Sequence, residues 1–178
     1  EFFGLGFHLR AQVARALRGL GSTRSDWLYA LEAGDGTTLA SGHRLFAQAK
    51  VERRVSSLAT PMTQGGAGLQ FYAPRSRDSL YFASLVGEKV RGGGIADLLL
   101  LGGLEGMRGY PSRYQAGENR VVATLEQRRY SDWYPLHLVR VGGAAFLDIG
   151  RAWGGANQNT VNGGWLADAG VGLRLSLD

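Results

Sequence analysis

Seven apolar residues stand at alternate positions near the end of the chain: Trp165, Ala167, Ala169, Val171, Leu173, Leu175 and Leu177. Opposing them are Asp168, Gly170, Gly172, Arg174 and Ser176. Successive side chains of a β-strand point to opposite faces, so a period of two sustained this long commits the segment to a strand with one greasy and one polar side. Two earlier segments behave alike. Val121, Ala123 and Leu125 oppose Thr124, Glu126 and Arg128, and Val139, Val141, Ala145, Leu147 and Ile149 oppose Arg140, Gly142, Ala144, Phe146, Asp148 and Gly150.

The first half carries the same signal with more interruptions. Leu5, Phe7, Leu9, Ala11 and Val13 alternate with Gly6, His8, Arg10 and Gln12, after which residues 14–18 suit helix and strand equally. Residues 19–25 are turn chemistry. Trp27, Tyr29, Leu31 and Ala33 then share a face, a run that Gly34-Asp35-Gly36 is expected to break. Leu45, Ala47, Ala49 and Val51 oppose Arg44, Gln48, Lys50 and Glu52; the alanines suit a helix, but the alternation favours a strand. Ala67, Leu69 and Phe71 face away from Gly68, Gln70 and Tyr72, and Pro74 to Asp78 turns the chain. Segment 79–90 is strand-like without clear parity, and Gly92-Gly93-Gly94 is a turn.

Strand length separates two all-β classes. Strands of a soluble sandwich average about 5–6 residues, whereas several runs here reach roughly ten to thirteen, enough to cross a bilayer when tilted. Ten residues at about 3.4 Å each, tilted by about 45°, rise about 24 Å, close to the apolar band of an outer-membrane barrel. Trp27, Trp133, Trp153 and Trp165 fall near expected strand ends, where an aromatic girdle belongs. Glycine, at 28 of 178 residues, is about twice its usual share, in keeping with strands and close backbone approaches. No apolar run approaches the ~20 residues of a membrane helix, and no leader peptide is visible, so any membrane crossing falls to strands. A β-sandwich binding module is the soluble alternative.

Catalysis has little foothold. The chain has no cysteine, so it offers neither disulfides nor thiolate ligands. His8, His43 and His137 lack metal-ligand spacing, and the glycine clusters lack the Lys-Ser/Thr of a phosphate cradle. Neither a nucleophile elbow nor a zinc-protease helix motif occurs. The reading is therefore no enzyme, no cofactor and no metal. Net charge is +5, but the 20 basic residues are spread along the chain without forming a patch, and Arg53-Arg54 and Arg128-Arg129 read as rim or lumen residues rather than nucleic-acid contacts.

One stretch has more specific content. Gly102-Gly103, followed by Met107-Arg108-Gly109-Tyr110, forms a glycine-rich loop carrying an arginine. It precedes Glu126 and then Phe146-Leu147-Asp148-Ile149-Gly150, with both carboxylates on the polar strand face. These motifs, in this order and with the final Gly170-Val171-Gly172-Leu173-Arg174, resemble the long sixth loop and following strands of the BamA/TamA superfamily. That superfamily comprises outer-membrane insertases and translocases (bacterial surface antigens) and includes the two-partner secretion transporters. The likeness covers about residues 98–177.

The resemblance implies a sixteen-stranded antiparallel transmembrane β-barrel, with residues 1–178 as a partial C-terminal barrel domain of eight or nine strands and a lumen loop at about 102–118. It places the chain in the outer membrane of a Gram-negative bacterium. Its partners would be polypeptide substrates and the lipid bilayer, without nucleic acid, and two open sheet edges would invite self-association. It implies that Arg108 reaches into the lumen to Glu126 and Asp148. An arginine fork can engage two carboxylates, which a lysine cannot do in the same way. Gly109 is expected to let the backbone turn, Gly150 to leave room beside the loop, Phe146 to flank the site and Tyr110 to pack at the loop tip. Met107 replaces the usual valine, isoleucine or leucine. The family's last strand, closing in an aromatic residue, and its first strands are expected to lie outside this sequence, leaving the lumen lock without the gate. A structural surface barrel or adhesin with no transport role is the alternative within the same fold.

Overall fold

The computed structural model describes residues 5–23, 25–131, 139–155 and 163–177; Trp133 and His137 lie outside the described residues. The chain is all-β. Eight strands form one antiparallel sheet: β1 (His8–Ala16), β2 (Asp26–Thr38), β3 (Arg44–Ser56), β4 (Met62–Ser76), β5 (Ser79–Gly92), β8 (Asn119–Tyr130), β9 (Val139–Trp153) and β10 (Leu166–Leu177). Each pairs with its neighbours in chain order, and no ladder joins β10 to β1 among the described residues. Between β5 and β8 the chain leaves the sheet, forms a small ribbon of β6 (Leu99–Leu101) and β7 (Gln115–Gly117), and returns.

The register extends the alternation across the sheet. Phe82 pairs with Glu126, Glu126 with Phe146 and Phe146 with Gly170, so these residues share one face, here called inner. The outer face carries Leu31, Val51, Leu69, Leu85, Leu125, Leu147 and Leu173, all exposed. Val171 and Leu173 are 85% and 86% exposed, whereas the inner-face acids Glu126 and Asp148 are 5% and 0% exposed. A water-soluble sheet buries its apolar face; this one shields inner-face acids on β8 and β9 and leaves a contiguous apolar surface uncovered, far beyond the scattered apolar residues of an ordinary exterior.

Three local readings are corrected. β2 runs through Gly34-Asp35-Gly36 to Thr38 instead of breaking there. Gly34 and Gly36 pair with Gln48 and Phe46, and the His8 ring lies against Gly34, whose missing side chain makes room on the inner face. β4 continues past Pro74 to Ser76, with a register irregularity between those two residues. The excursion begins at residue 93, earlier than expected, because Leu99–Leu101 pair with Gln115–Gly117. Residues 14–16 continue as strand, and a single 3-10 turn, Arg18–Leu20, follows.

The core is small and lies beneath the excursion. Leu101, Met107, Ala152 and Leu166 form one buried cluster, with Tyr110, Tyr114 and Val122 packed against it. Met62, Val90 and Leu99 form a second. Toward β1–β4 the inner face is open, with a cleft of about 790 Å³ bordered by Arg10, Glu32, Gln48, Lys50 and Glu52.

The ribbon reaches the sheet through backbone. The Glu118 amide donates to the Gly154 carbonyl at 3.1 Å, the Val90 amide to the Glu118 carbonyl at 2.7 Å, and Gly117 lies directly on the Trp153 backbone. A side chain at position 117 would meet main-chain atoms that cannot rotate away. We expect Gly117→Val to lift the ribbon and cost about 1–3 kcal/mol, as overpacking does. Amide exchange over residues 93–118 should accelerate; wild-type protection would refute this seating.

Candidate functional site at Arg108

The excursion descends onto the inner face of β8, β9 and β10. Gly102 starts the descent with φ +124°, a conformation that strains any residue with a Cβ, and Gly103 follows with φ +59°. The Gly103 amide donates to the Met107 carbonyl at 2.8 Å, closing a compact turn. Met107 is fully buried and presses its sulfur toward Gly150, where an added Cβ would stand 3.0 Å from Sδ. Gly150 therefore leaves space for the loop, as methionine is long enough to fill an irregular gap.

Arg108 then points along the inner face. Its Nε donates to Asp148 Oδ2 at 2.8 Å and its Nη2 to Asp148 Oδ1 at 3.0 Å, a two-pronged contact. Nη1 donates to Glu126 Oε2 at 3.3 Å. The guanidinium carbon lies 3.6 Å from the centre of the Phe146 ring, within the range of a cation–π contact. That ring is laid across Gly170, its cross-strand partner, where a Cβ would come 2.6 Å from Cζ of the ring. The order from the sheet is thus Gly170, Phe146, Arg108.

Both acids are held from other directions. The Thr124 hydroxyl donates to Asp148 Oδ1 at 2.7 Å. Glu126 Oε1 accepts from Arg128 Nε at 3.1 Å and from Arg174 Nε at 2.9 Å, with a further contact from Arg174 Nη2. Glu126 is thereby shared by three arginines. The Arg108 guanidinium is held further above its ordinary range by its hydrogen bonds to Asp148, with burial opposing and the charges of Asp148 and Glu126 adding to the rise.

The next two loop residues contact β10. The Gly109 amide donates to Asp168 Oδ2 at 2.8 Å, and a Cβ on Gly109 would stand 2.8 Å from the Asp168 Cβ. Gly109 thus serves close approach; its φ is not positive, which corrects the expectation of a glycine turn. The Tyr110 hydroxyl donates to the Ala167 carbonyl at 3.2 Å, and its ring tilts against Tyr114 with centroids 5.0 Å apart.

A second clamp lies higher on the excursion. Arg120 donates to Glu88 through Nε at 2.8 Å, to the Leu100 carbonyl at 2.6 Å and to Glu105 Oε2 at 3.3 Å. Gln115 is buried, donating to the Gly164 carbonyl at 2.8 Å and accepting from the Ala152 amide at 2.9 Å. Arg54 on β3 pairs with Asp97 near the start of the excursion.

The structure therefore brings together Arg108, Glu126, Asp148 and Phe146, with Gly102, Gly103, Met107, Gly109, Tyr110 and Gly150 shaping the loop around them. Sequence reasoning missed Asp168, Arg174, Arg128, Thr124 and Arg120. Asp168, Arg174, Arg128 and Thr124 all lie on the polar parity of their strands, which was the available signal. Among the described residues no group of three His, Asp or Glu side chains is placed to hold a metal ion. Such a site can anchor a returning loop through charge. The chain matches no family model, no curated protein and no solved structure.

Arg108 and Asp148 should be strongly coupled. Hydrogen bonds between charged groups are worth about 1.5–3 kcal/mol, less than a fully buried pair because the Arg108 side chain is 38% exposed. In a double-mutant cycle of Arg108→Ala and Asp148→Ala we expect a coupling of about 1–2 kcal/mol, read by denaturant unfolding; additive losses would refute it. Arg108→Lys should recover only part of the wild-type stability.

Proposed function

We propose that this chain forms part of an outer-membrane β-barrel that inserts or translocates polypeptides, with the Arg108 loop fastened inside the lumen. The observation that carries this reading is the inversion of the sheet: long strands present an uncovered apolar face, while the opposite face is charged, ion-paired and occupied by a returning loop. In hydrocarbon every backbone polar group must be paired within the protein, and a closed cylinder of strands satisfies that demand. The eight-stranded sheet would supply half of a sixteen-stranded wall.

The aromatic placement supports a lipid-facing exterior. On the outer parity, Trp27, Tyr29 and Trp153 stand near one end of the strands and Phe71 and Tyr81 near the other, as two interfacial belts would. No soluble layer covers the apolar face among the described residues, which disfavours the β-sandwich module.

Within this reading the loop divides the lumen. Its ribbon and Arg108 cover the inner faces of β8–β10, while the cleft beside β1–β4 remains open to an extended polypeptide. The wall there offers both signs of charge, with Arg10 and Lys50 beside Glu32 and Glu52, and so favours transient contacts over tight capture of one sequence. A plugged structural barrel is the second reading, favoured by how firmly the loop is pinned. The transport reading requires that loosening the loop change transport; the structural one requires that it change stability alone.

Two measurements test the proposal. Single cysteines replacing Leu125, Leu147 and Leu173 should resist a water-soluble maleimide in the membrane-embedded protein, whereas cysteines replacing Gln48 and Gln64 should react. Equal labelling of both sets would remove the bilayer reading. Asp148→Arg should release the loop to protease and impair polypeptide assembly or export by the whole protein. Wild-type transport despite a released loop would leave only the structural barrel.

A further inference from the structure

Charge is divided unequally between the two faces. On the inner face, Arg54, Arg108, Arg120, Arg128 and Arg174 each pair with an acid. On the outer face, cations outnumber acids and lack such partners. Asp35 is the one strand acid of outer parity among the described residues, and it lies toward the short-turn end of β2. At the opposite end, where the long excursion leaves the sheet, the register collects Arg53, Lys89 and Arg91. Thr63 pairs with both Arg53 and Arg91, and Tyr29 pairs with Arg53, so Tyr29, Arg53, Thr63 and Arg91 stand side by side in one cross-strand row. Lys89 is one outer-face position farther along β5, opposite Gly65.

Neighbouring strands lie about 4.8 Å apart, so Arg53 and Arg91 straddle Thr63 across roughly 10 Å, a span that two long side chains can close around one anion. All three cations are exposed, and none has an ion-pair partner among the described residues. Two further outer cations lie near this end beside tryptophan: Arg15 is 4.9 Å from the Trp27 ring centre, and Arg151 is 5.9 Å from that of Trp153. Below the row the surface turns apolar, with Leu31, Val51, Leu69 and Leu85. Like charges so close together repel, and an uncovered greasy surface beside them is costly in water. One occupant relieves both: an anion joined to hydrocarbon.

We propose that Arg53, Lys89 and Arg91, with the Thr63 hydroxyl between them, bind the phosphate of a lipid headgroup whose acyl chains lie along the outer face. The proposal rests on that face being lipid-facing. Arginine grips phosphate oxygens with two prongs, lysine adds a point charge and threonine adds a donor. Tyr29 and Trp27 stand at the headgroup level, where amphipathic rings settle. Gly65 leaves the surface flat opposite Lys89, so its stem can lie along the sheet while its ammonium reaches upward. The site would favour one leaflet, because the triad occupies a single end of the strands.

The test uses the whole protein in dodecyl maltoside micelles carrying phosphatidylglycerol or phosphate-free galactosyl diacylglycerol, with bound lipid counted by native mass spectrometry. Wild type should retain phosphatidylglycerol preferentially. The triple variant R53Q/K89Q/R91Q should lose that preference by about a hundredfold, since each cation near a membrane surface contributes about fivefold. R53K/R91K, which keeps the charge, should retain most of it, and the inner-face control R44Q/K50Q should match wild type. All variants should share the wild-type far-UV circular dichroism. Equal retention of both lipids by wild type overturns the phosphate site while leaving the lipid-facing reading intact; retention of neither lipid overturns both. Displacement of phosphatidylglycerol by equimolar inorganic phosphate would make this a free-anion site, and displacement by polyglutamate an acidic-polypeptide surface. Either result overturns the lipid assignment.

Discussion

The contact between Arg108 and Asp148 joins two parts of the molecule that local forces alone would not hold together. The excursion between β5 and β8 is long and glycine-rich, and its regular structure is limited to two three-residue strands and two short 3-10 turns, Ile95–Asp97 and Gly103–Glu105. Its ordering entropy must be met by anchors. The two-pronged contact to Asp148 supplies direction as well as energy, because a planar fork meets a carboxylate in few geometries. The shielded acids in turn require the arginines: Glu126 and Asp148 are withdrawn from water and would be costly without compensating cations. Loop and inner wall therefore stabilise each other.

This dependence accounts for the residues around the site. Met107 fills the hollow left by Gly150, Phe146 lies flat because Gly170 has no side chain, and Gly109 brings its amide to Asp168 because nothing intervenes. Each glycine removes an obstacle on one side so that a larger group on the other can approach. Arg128 and Arg174 hold Glu126 from the sheet side, so no single cation carries the whole compensation of that acid.

Much of the last third was legible because period two is unambiguous when one face is fully apolar. Glu126, Asp148 and Phe146 share the inner face, as the parity of their strands required. Segment 79–90 was not legible: Phe82, Val86 and Val90 are apolar on the inner side, where Phe82 meets Tyr72 and Arg128, and Val90 packs with Met62 and Leu99. Apolar residues on both faces erase the alternation. The ribbon was missed because three-residue strands are too short to show a period. Asp168 and Arg174 were visible as polar-face residues, but their contacts depend on where the loop lands, which no local pattern specifies. The cationic row escaped notice for a related reason: residues 53, 63 and 91 are distant in sequence and meet only through strand register.

The excursion touches the sheet unevenly. Among the described residues its buried contacts fall on β5, β8, β9 and β10, while β3 and β4 meet it near their ends, through Arg54 and Met62. A sheet braced over half its width is stiff there and compliant elsewhere, like a panel ribbed on one side. Any widening or pinching would concentrate in the unbraced strands, so β1 to β4 would absorb the deformation while β8 to β10 move as a block.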